Sequence, residues 1–316
     1  MQLLKKILAT LLICFAVLYG LEILAGYFFS GYPEMKTSYI QHHNNHAKIL
    51  IDGACEAEWT LDPDYIDSAT GKKTYNLGLA SSDIADLYLN LYLYLKHQPK
   101  PEVVLLQITP EGFNKHTADP LNAYRYANNL NDGLVKKTIT ELDPEYVKFA
   151  HIPFVKFSYY NNFILFKVIA GIGYKLLGKE NPRYPNGYKP PTFTFADQNA
   201  LDQDDPVKFG KPYEWDPQRE AYLVKILELC KQQDIHLVLY RSPYYAGYTE
   251  RHKELSLYAN KIQKIASAHQ IEYIRFDTLD FSKDRSNFFK APNMTISGAT
   301  KFNKIFVEKC LNKYIK

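Results

Sequence analysis

The segment KILIDGACEAEW, residues 48–59, holds the residues best suited to chemistry: Cys55, with acids around it at Asp52, Glu56 and Glu58. A run of buried-strand residues, Ile49, Leu50 and Ile51, stops at Asp52-Gly53, so Cys55 falls where the chain turns from strand into helix. A thiol is a few per cent thiolate at neutral pH and is intrinsically nucleophilic, so this position suits attack on an electrophile. The neighbouring carboxylates oppose it, because negative charge raises a thiol pKa unless Asp52 and Glu58 point away. A helix N-terminus at Cys55 would act in the other direction. On these residues alone Cys55 is either a nucleophile or the relic of one.

Other reactive side chains carry weaker patterns. His42, His43 and His46 in QHHNNH have no acidic partner nearby, so they are expected to be solvated and to hold no metal. No Cys/His spacing suggests zinc, and no cofactor is expected. Cys14 lies in an apolar run, while Cys230 and Cys310 sit near helix ends and are expected to be separate buried thiols, a bridge between them being left open. Tyr244, Tyr245 and Tyr248 follow a strand and either stack on a sugar or pack their loop.

The elements that must position these residues are short apolar runs alternating with helical patterns. Strands are expected at 48–52, 74–76, 103–108, 236–240 and 271–275, and helices at 82–97, 217–233, 250–269 and 298–314. Near-continuous apolar strands between helices argue for a parallel sheet covered on both faces. The expected fold is a three-layer, doubly wound α/β sheet of the flavodoxin-like kind with about five strands. In such sheets ligands bind beyond the carboxyl ends of the strands, where the 52–56 turn lies.

Composition bounds the function classes. Among 316 residues, 46% are hydrophobic and 23% charged, which suits a globular protein, and 26 tyrosines are unusually many. The net charge of +4 is modest and no basic stripe interleaves with aromatics, which argues against nucleic acid as a partner. After Lys5 and Lys6 the chain runs from Ile7 to Phe29 with one ionisable side chain, Glu22. That run is long enough to cross a hydrocarbon core of about 30 Å. It exceeds the apolar core of a signal peptide, the competing reading, and has no A-x-A-like site, so an uncleaved anchor is expected. The leading lysines place the N-terminus on the cytoplasmic side and the rest of the chain outside. Glu22 is then protonated or marks a helix–helix contact.

The expected organisation is an anchor at 1–30, a polar tether at 31–46 and an α/β domain at 47–316 with a large insertion at about 112–216. The apolar stretch FVKFSYYNNFILFKVIAGIGYKLLG is interrupted by Lys156, Lys167 and Asn161-Asn162, so it reads as one or two helices packed on the domain near the membrane surface. The following stretch, 179–206, is rich in Pro, Asn and Asp and reads as loop, with a turn at Asn186-Gly187-Tyr188. An insertion of this size is expected to shape the site.

Four blocks in order carry a resemblance: Gly53-Ala54-Cys55-Glu56-Ala57 after the first strand, YNLGLASS at 75–82, PEVVLLQITPEGF at 101–113, and NMTISGATKFNKIF at 293–306. The chain resembles the SGNH/GDSL hydrolase superfamily, particularly membrane-anchored extracytoplasmic members related to proteins that move acyl groups on surface polysaccharides. The resemblance covers the region from about Lys48 onward, without the insertion. It implies a nucleophile at Cys55, where the family has serine, and an oxyanion-hole glycine at Gly78. The family's asparagine donor falls near Glu111. Gly298-Ala299 matches the start of the last helix, but the histidine of the family's Asp-x-x-His dyad falls on Asn293 and its aspartate on Lys290.

Each departure has a chemical meaning. Asn293 cannot take a proton from a nucleophile as histidine does. Lys290 could lower the thiol pKa or act as a desolvated base. His116, soon after the third strand, is the histidine best placed to substitute; His151, His236 and His252 are less well placed. The resemblance thus implies an anchored domain with a degenerate catalytic site, in a bacterial-type cell membrane and facing the periplasm. It would bind cell-surface glycan or assist its modification, with a polysaccharide or an envelope protein as partner. The alternative it implies is an active esterase, thioesterase or O-acyltransferase using Cys55 with Lys290 or His116.

Overall fold

The computed structural model describes residues 1–116, 121–160, 163–178, 186–196, 201 and 213–313. Asn161, Asn162 and the parts of the expected loop at 179–185, 197–200 and 202–206 lie outside the described residues, as does Tyr314 at the end of the last expected helix.

In chain order the described elements are α1 (Gln2–Phe29), α2 (Lys36–His42), β1 (Ile49–Asp52), α3 (Cys55–Thr60), α4 (Pro63–Thr70), β2 (Thr74–Asn76), α5 (Ile84–His97) and β3 (Val103–Gln107). They continue with α6 (Gly133–Leu142), α7 (Pro144–Phe149), α8 (Phe163–Leu176), α9 (Pro217–Gln232), β4 (His236–Arg241), α10 (Ala246–Arg251), α11 (Glu254–Ala268), β5 (Glu272–Arg275) and α12 (Ile296–Lys309). The chain divides into two compact units, one of Met1–His42 with Leu121–Arg183, the other of His43–Pro120 with Tyr184–Lys316.

The second unit is the α/β domain. Its five strands are all parallel, in the order β2-β1-β3-β4-β5. Alternate residues face opposite sides. Ile49, Ile51, Val103, Leu105, Val238 and Tyr240 pack toward Phe302 and Phe306 of α12 and Ala57 of α3. The opposite face, with Leu50, Val104, Leu106 and Leu239 fully buried, is covered by α5, α9 and α11. Strand order reverses between β1 and β3, so the helices after these strands diverge and a crevice opens at their carboxyl ends.

Helix starts follow local chemistry. Asp62, Asp83, Asp216 and Thr295 each accept a backbone N–H in the first turn of α4, α5, α9 and α12, and Pro63 and Pro217 occupy first-turn positions that need no donor. The helix expected at 250–269 is instead two, α10 and α11. His252 leaves helical geometry, its ring lies 4.6 Å from that of Tyr248 and tilted to it, and its Nδ1 lies 3.3 Å from Glu254. Cys230 and Cys310 are buried thiols not joined in a disulfide.

The first unit joins the N-terminal helix to the middle of the chain. α1 is the one described helix long and apolar enough to cross a membrane. The expected tether contains α2, whose Thr37, Ser38 and Ile40 are buried in contact with the 3-10 turn at Ala123–Asn129, because local polarity is overridden by packing. α8 packs on α1 through Ile164 and Val168 against Ala25 and Phe29. Glu22 is buried, 2.8 Å from Lys156 Nζ, and accepts the Phe154 N–H at 3.1 Å.

Candidate functional site

The site begins where β1 ends. Asp52 accepts the Gly53 N–H at 2.8 Å, which turns that carboxylate back onto its own turn. A Cβ on Gly53 would stand 2.6 Å from Gln107 Cβ and 2.7 Å from Ala57 Cβ, so close approach requires glycine there. Gln107, the last residue of β3, accepts the Ala54 N–H at 3.0 Å and ties the turn to the adjacent strand. Cys55 is therefore the first residue of α3, at the carboxyl edge of the sheet where strand order reverses.

The loop after β2 is stitched to the same helix. Asn76 donates to the carbonyls of Ala57 and Leu61 at 2.8 and 3.0 Å, while its side-chain oxygen accepts the Gly78 N–H at 2.8 Å. Glu58 accepts the Ala80 N–H at 2.9 Å. Gly78 packs so tightly that a Cβ would lie 2.9 Å from Ala57, Asn76 and Glu58 atoms. Its role is thus to let two segments touch, and its N–H is engaged with Asn76.

A cleft opens at this edge, lined by Cys55, Glu56, Asp83, Glu111, Tyr244 and Tyr248 among others. Its centre is a hydrogen-bonded chain. Cys55 Sγ donates to Glu56 Oε2 at 3.3 Å. The Tyr244 hydroxyl lies 3.0 Å from Glu56 Oε1 and 3.3 Å from Glu111 Oε2. A phenol has one hydrogen, so it donates to one of the two carboxyl groups at a time, unless the other carries a proton of its own. Burial raises the pKa of Glu56, and the negative charge of Glu111 adds to this against the opposing hydrogen bonds. With its pKa raised, Glu56 is the carboxyl group that takes up a proton more readily than an ordinary one, and in that form it can donate to the Tyr244 oxygen and leave the phenol hydrogen for Glu111.

Arg241 supports this chain from below. It is the last residue of β4, fully buried, and its guanidinium lies 3.1 Å from Asp277 and 5.0 Å from the centre of the Tyr244 ring. Asp277 also accepts from Arg275 at 2.8 Å. Buried charge is tolerated there because it is paired, and the guanidinium lies within cation–π reach of the Tyr244 ring. At the rim, Asp83 caps α5 and lies 2.8 Å from Arg219 Nε. Burial outweighs that cation and pushes the Asp83 pKa up to about 6.

Of the residues singled out from sequence, Cys55 and Glu111 share the cleft and are linked through Glu56 and Tyr244. Lys290 is exposed, with its ammonium 5.7 Å from the Phe289 ring centre, and does not line the cleft. Asn293 uses its backbone to close a turn with Phe289 and Lys290; its neighbour Pro292 lines the cleft, but Asn293 does not. His116 lies 3.2 Å from Glu214 and is likewise outside the lining. No histidine lines the cleft among the described residues, and every described lining residue comes from the α/β unit rather than from 121–183 of the insertion. The described residues contain no group of three His, Cys, Asp or Glu able to hold a metal.

In the sequence Glu56 is only a charge near the thiol, and the role of Arg241 is not evident. An arginine ending an apolar strand, as in HLVLYR, was the available signal, since it must find a buried anion at the sheet edge.

Neither a protein-family model nor a curated protein sequence matches the chain. Solved structures similar to it include a Streptococcus pneumonia protein with a provisional assignment as a platelet activating factor, at 13% identity and a TM-score of 0.41, covering 94% of this chain and 99% of that one. A catalytic mutant of an acetylxylan esterase from Geobacillus stearothermophilus aligns at 11% identity and a TM-score of 0.36, over 84% of this chain and 95% of the other. An active-site mutant of a family two carbohydrate esterase from Clostridium thermocellum aligns at 8% identity and a TM-score of 0.30, over 85% and 65%.

Proposed function

We propose that this chain is a single-pass membrane protein whose extracytoplasmic, SGNH-hydrolase-like domain binds a hydroxyl-rich ligand, a cell-surface glycan, at the cleft without cleaving it. The observation that carries the reading is the set of neighbours of Cys55: its sulfur lies 3.3 Å from Glu56, which leads through Tyr244 to Glu111, and no histidine lines the cleft among the described residues. A thiol beside a carboxyl group is its donor, which favours the protonated sulfur. To become a nucleophile the thiol would have to pass that proton through Glu56 and Tyr244 to a carboxylate. On reference values a thiol and a carboxylate differ by about 4 pKa units, against about 2 for a thiol and a histidine, a difference of roughly 3 kcal/mol in the cost of forming the thiolate. The cleft offers Glu111, Tyr244, Tyr248, Ser82 and Thr109 as hydrogen-bonding and stacking groups, a set suited to sugar hydroxyls.

The test compares the full-length wild type with Cys55→Ala. Ester turnover on acetylated polysaccharide and on a chromogenic acetyl ester is expected to be at background for both, and glycan binding by calorimetry is expected to be the same for both. Glu111→Ala should weaken glycan binding by about tenfold, the worth of a hydrogen bond between a sugar hydroxyl and a charged group. Turnover by the wild type that disappears in a folded Cys55→Ala variant would instead establish a thiol esterase or acyltransferase.

A further inference from the structure

We propose that the first unit holds a site for the phosphate of a membrane lipid headgroup, in a cavity of about 280 Å³ beside α1 lined by Tyr19, Glu22, Asn128, Lys136, His151 and Lys156 among others. The inference rests on the reading of α1 as a membrane span, and it assigns a ligand to a part of the chain that the cleft does not use.

The cavity's depth relative to a bilayer follows from α1. Residues 2–21 are exposed along their whole length, and burial against the rest of the unit begins at Glu22. A core of about 30 Å takes about twenty residues of helix, and counted from Ile7, after Lys5 and Lys6, it ends near Gly26. Glu22 and the cavity therefore lie about one helical turn inside the outer boundary of the core, where acyl chains meet headgroups, with Tyr19 a turn deeper. The second helix of the unit agrees with that placement: α8 buries Ile164, Val168 and Gly171 and leaves Phe163, Phe166, Ile169 and Leu176 exposed on its other side. An outward apolar stripe on a helix packed against the emerging end of a span fits the acyl boundary.

The charges of the cavity select the ligand. Lys156 is held 2.8 Å from Glu22, so this pair is fixed and largely neutral. Lys136 and His151 are exposed at the rim and make no ion pair among the described residues, while Asn128 donates to the Gly26 carbonyl at 2.9 Å and thereby fixes the wall. A group entering here meets the Lys136 ammonium and the His151 imidazole on the exposed side, the paired Lys156 and Glu22, and the apolar residues Ala127, Leu130 and Val147. A phosphate ester attached to acyl chains satisfies these, with the phosphate oxygens accepting from Lys136 and from the His151 ring. No bond is made or broken.

The experiment uses the full chain purified in detergent, with dioctanoyl phosphatidylglycerol as probe and calorimetry as readout. Saturable binding is expected for the wild type. Lys136→Gln combined with His151→Gln should weaken it by about tenfold or more, and Lys136→Glu at least as much, with unchanged far-UV circular dichroism. Dioctanoylglycerol, which lacks the phosphate, should not bind, and inorganic phosphate should bind at least about tenfold more weakly because it gains nothing from the apolar wall. Equal affinity in the rim variants, equal binding of dioctanoylglycerol, or inorganic phosphate binding as tightly as the lipid would each overturn the proposal. A carbonate wash of membranes separates the two failures. Release of the chain from the membrane would sink the span itself, whereas a retained chain without lipid binding sinks this inference alone.

Discussion

Glu56→Gln tests the raised pKa of Glu56 in the cleft. Glu56 is 4% exposed, and no cation touches it directly in its chain of contacts with Cys55 and Tyr244. Its pKa is raised above the ordinary value of 4.5 by burial and by Glu111. The folded state then binds more protons than the unfolded state between the two pKa values. Stability is fully present below the ordinary value and falls as pH rises through the window, with a limiting slope of about 1.4 kcal/mol per pH unit. Glutamine keeps the shape, accepts from Cys55, and donates to Tyr244 as the protonated acid does, so at pH 4.5 the two proteins should agree within about 1 kcal/mol. Above that pH the wild type should fall relative to the variant, by up to about 3–6 °C in melting temperature per pH unit for a domain of this size. The assay is thermal unfolding of the full chain in detergent at a series of pH values from 4.5 to about 7.5, a range chosen to span the titration of a raised carboxyl. A wild type that holds steady or gains stability relative to Glu56→Gln would refute the raised pKa and with it the inert thiol.

Three further outcomes follow from the same geometry. Asp83→Asn keeps an N-cap side chain but removes a carboxyl pushed up to about 6, so the wild type should lose roughly 1–3 kcal/mol relative to the variant as pH rises from 3.8 to about 6, read from melting curves. A constant difference over that range would show that Arg219 holds Asp83 ionised throughout. Arg241→Met leaves Asp277 with Arg275 alone, and the cost is expected at about 3 kcal/mol, with Tyr244 losing its support; near-neutral stability would contradict the pairing. Gly53→Ala forces a Cβ to within 2.6 Å of Gln107 and should cost about 3 kcal/mol or more, seen as a large drop in melting temperature. A melting temperature close to wild type would mean that the turn has room it is not shown to have.

Periodicity made the sheet legible. Ile49 to Ile51, Val103 to Leu106 and Leu237 to Tyr240 are apolar on consecutive residues because both faces are covered, and such runs can be read without knowing what covers them. The same logic located Cys55, since a strand ending in Asp-Gly before a helix must place the next residues at the carboxyl edge. Helix caps at Asp83 and Asp216 are likewise local chemistry. What required tertiary structure was every relation between distant residues. Glu56 and Tyr244 are 188 positions apart, and nothing in either neighbourhood reveals that they share a hydrogen. The turn that carries Lys290 and Asn293 is set by backbone bonds and by packing around it, so its alignment with a motif did not place either side chain in the cleft. The polar stretch before β1 reads as a tether because its buried surface comes from residues near 123–129, far along the chain. Residue types and their local order thus decided the strands, the turns and the apolar span, which depend on neighbours within a few positions. The partners of each charge and proton were decided by the fold, because electrostatics and burial depend on distance in space.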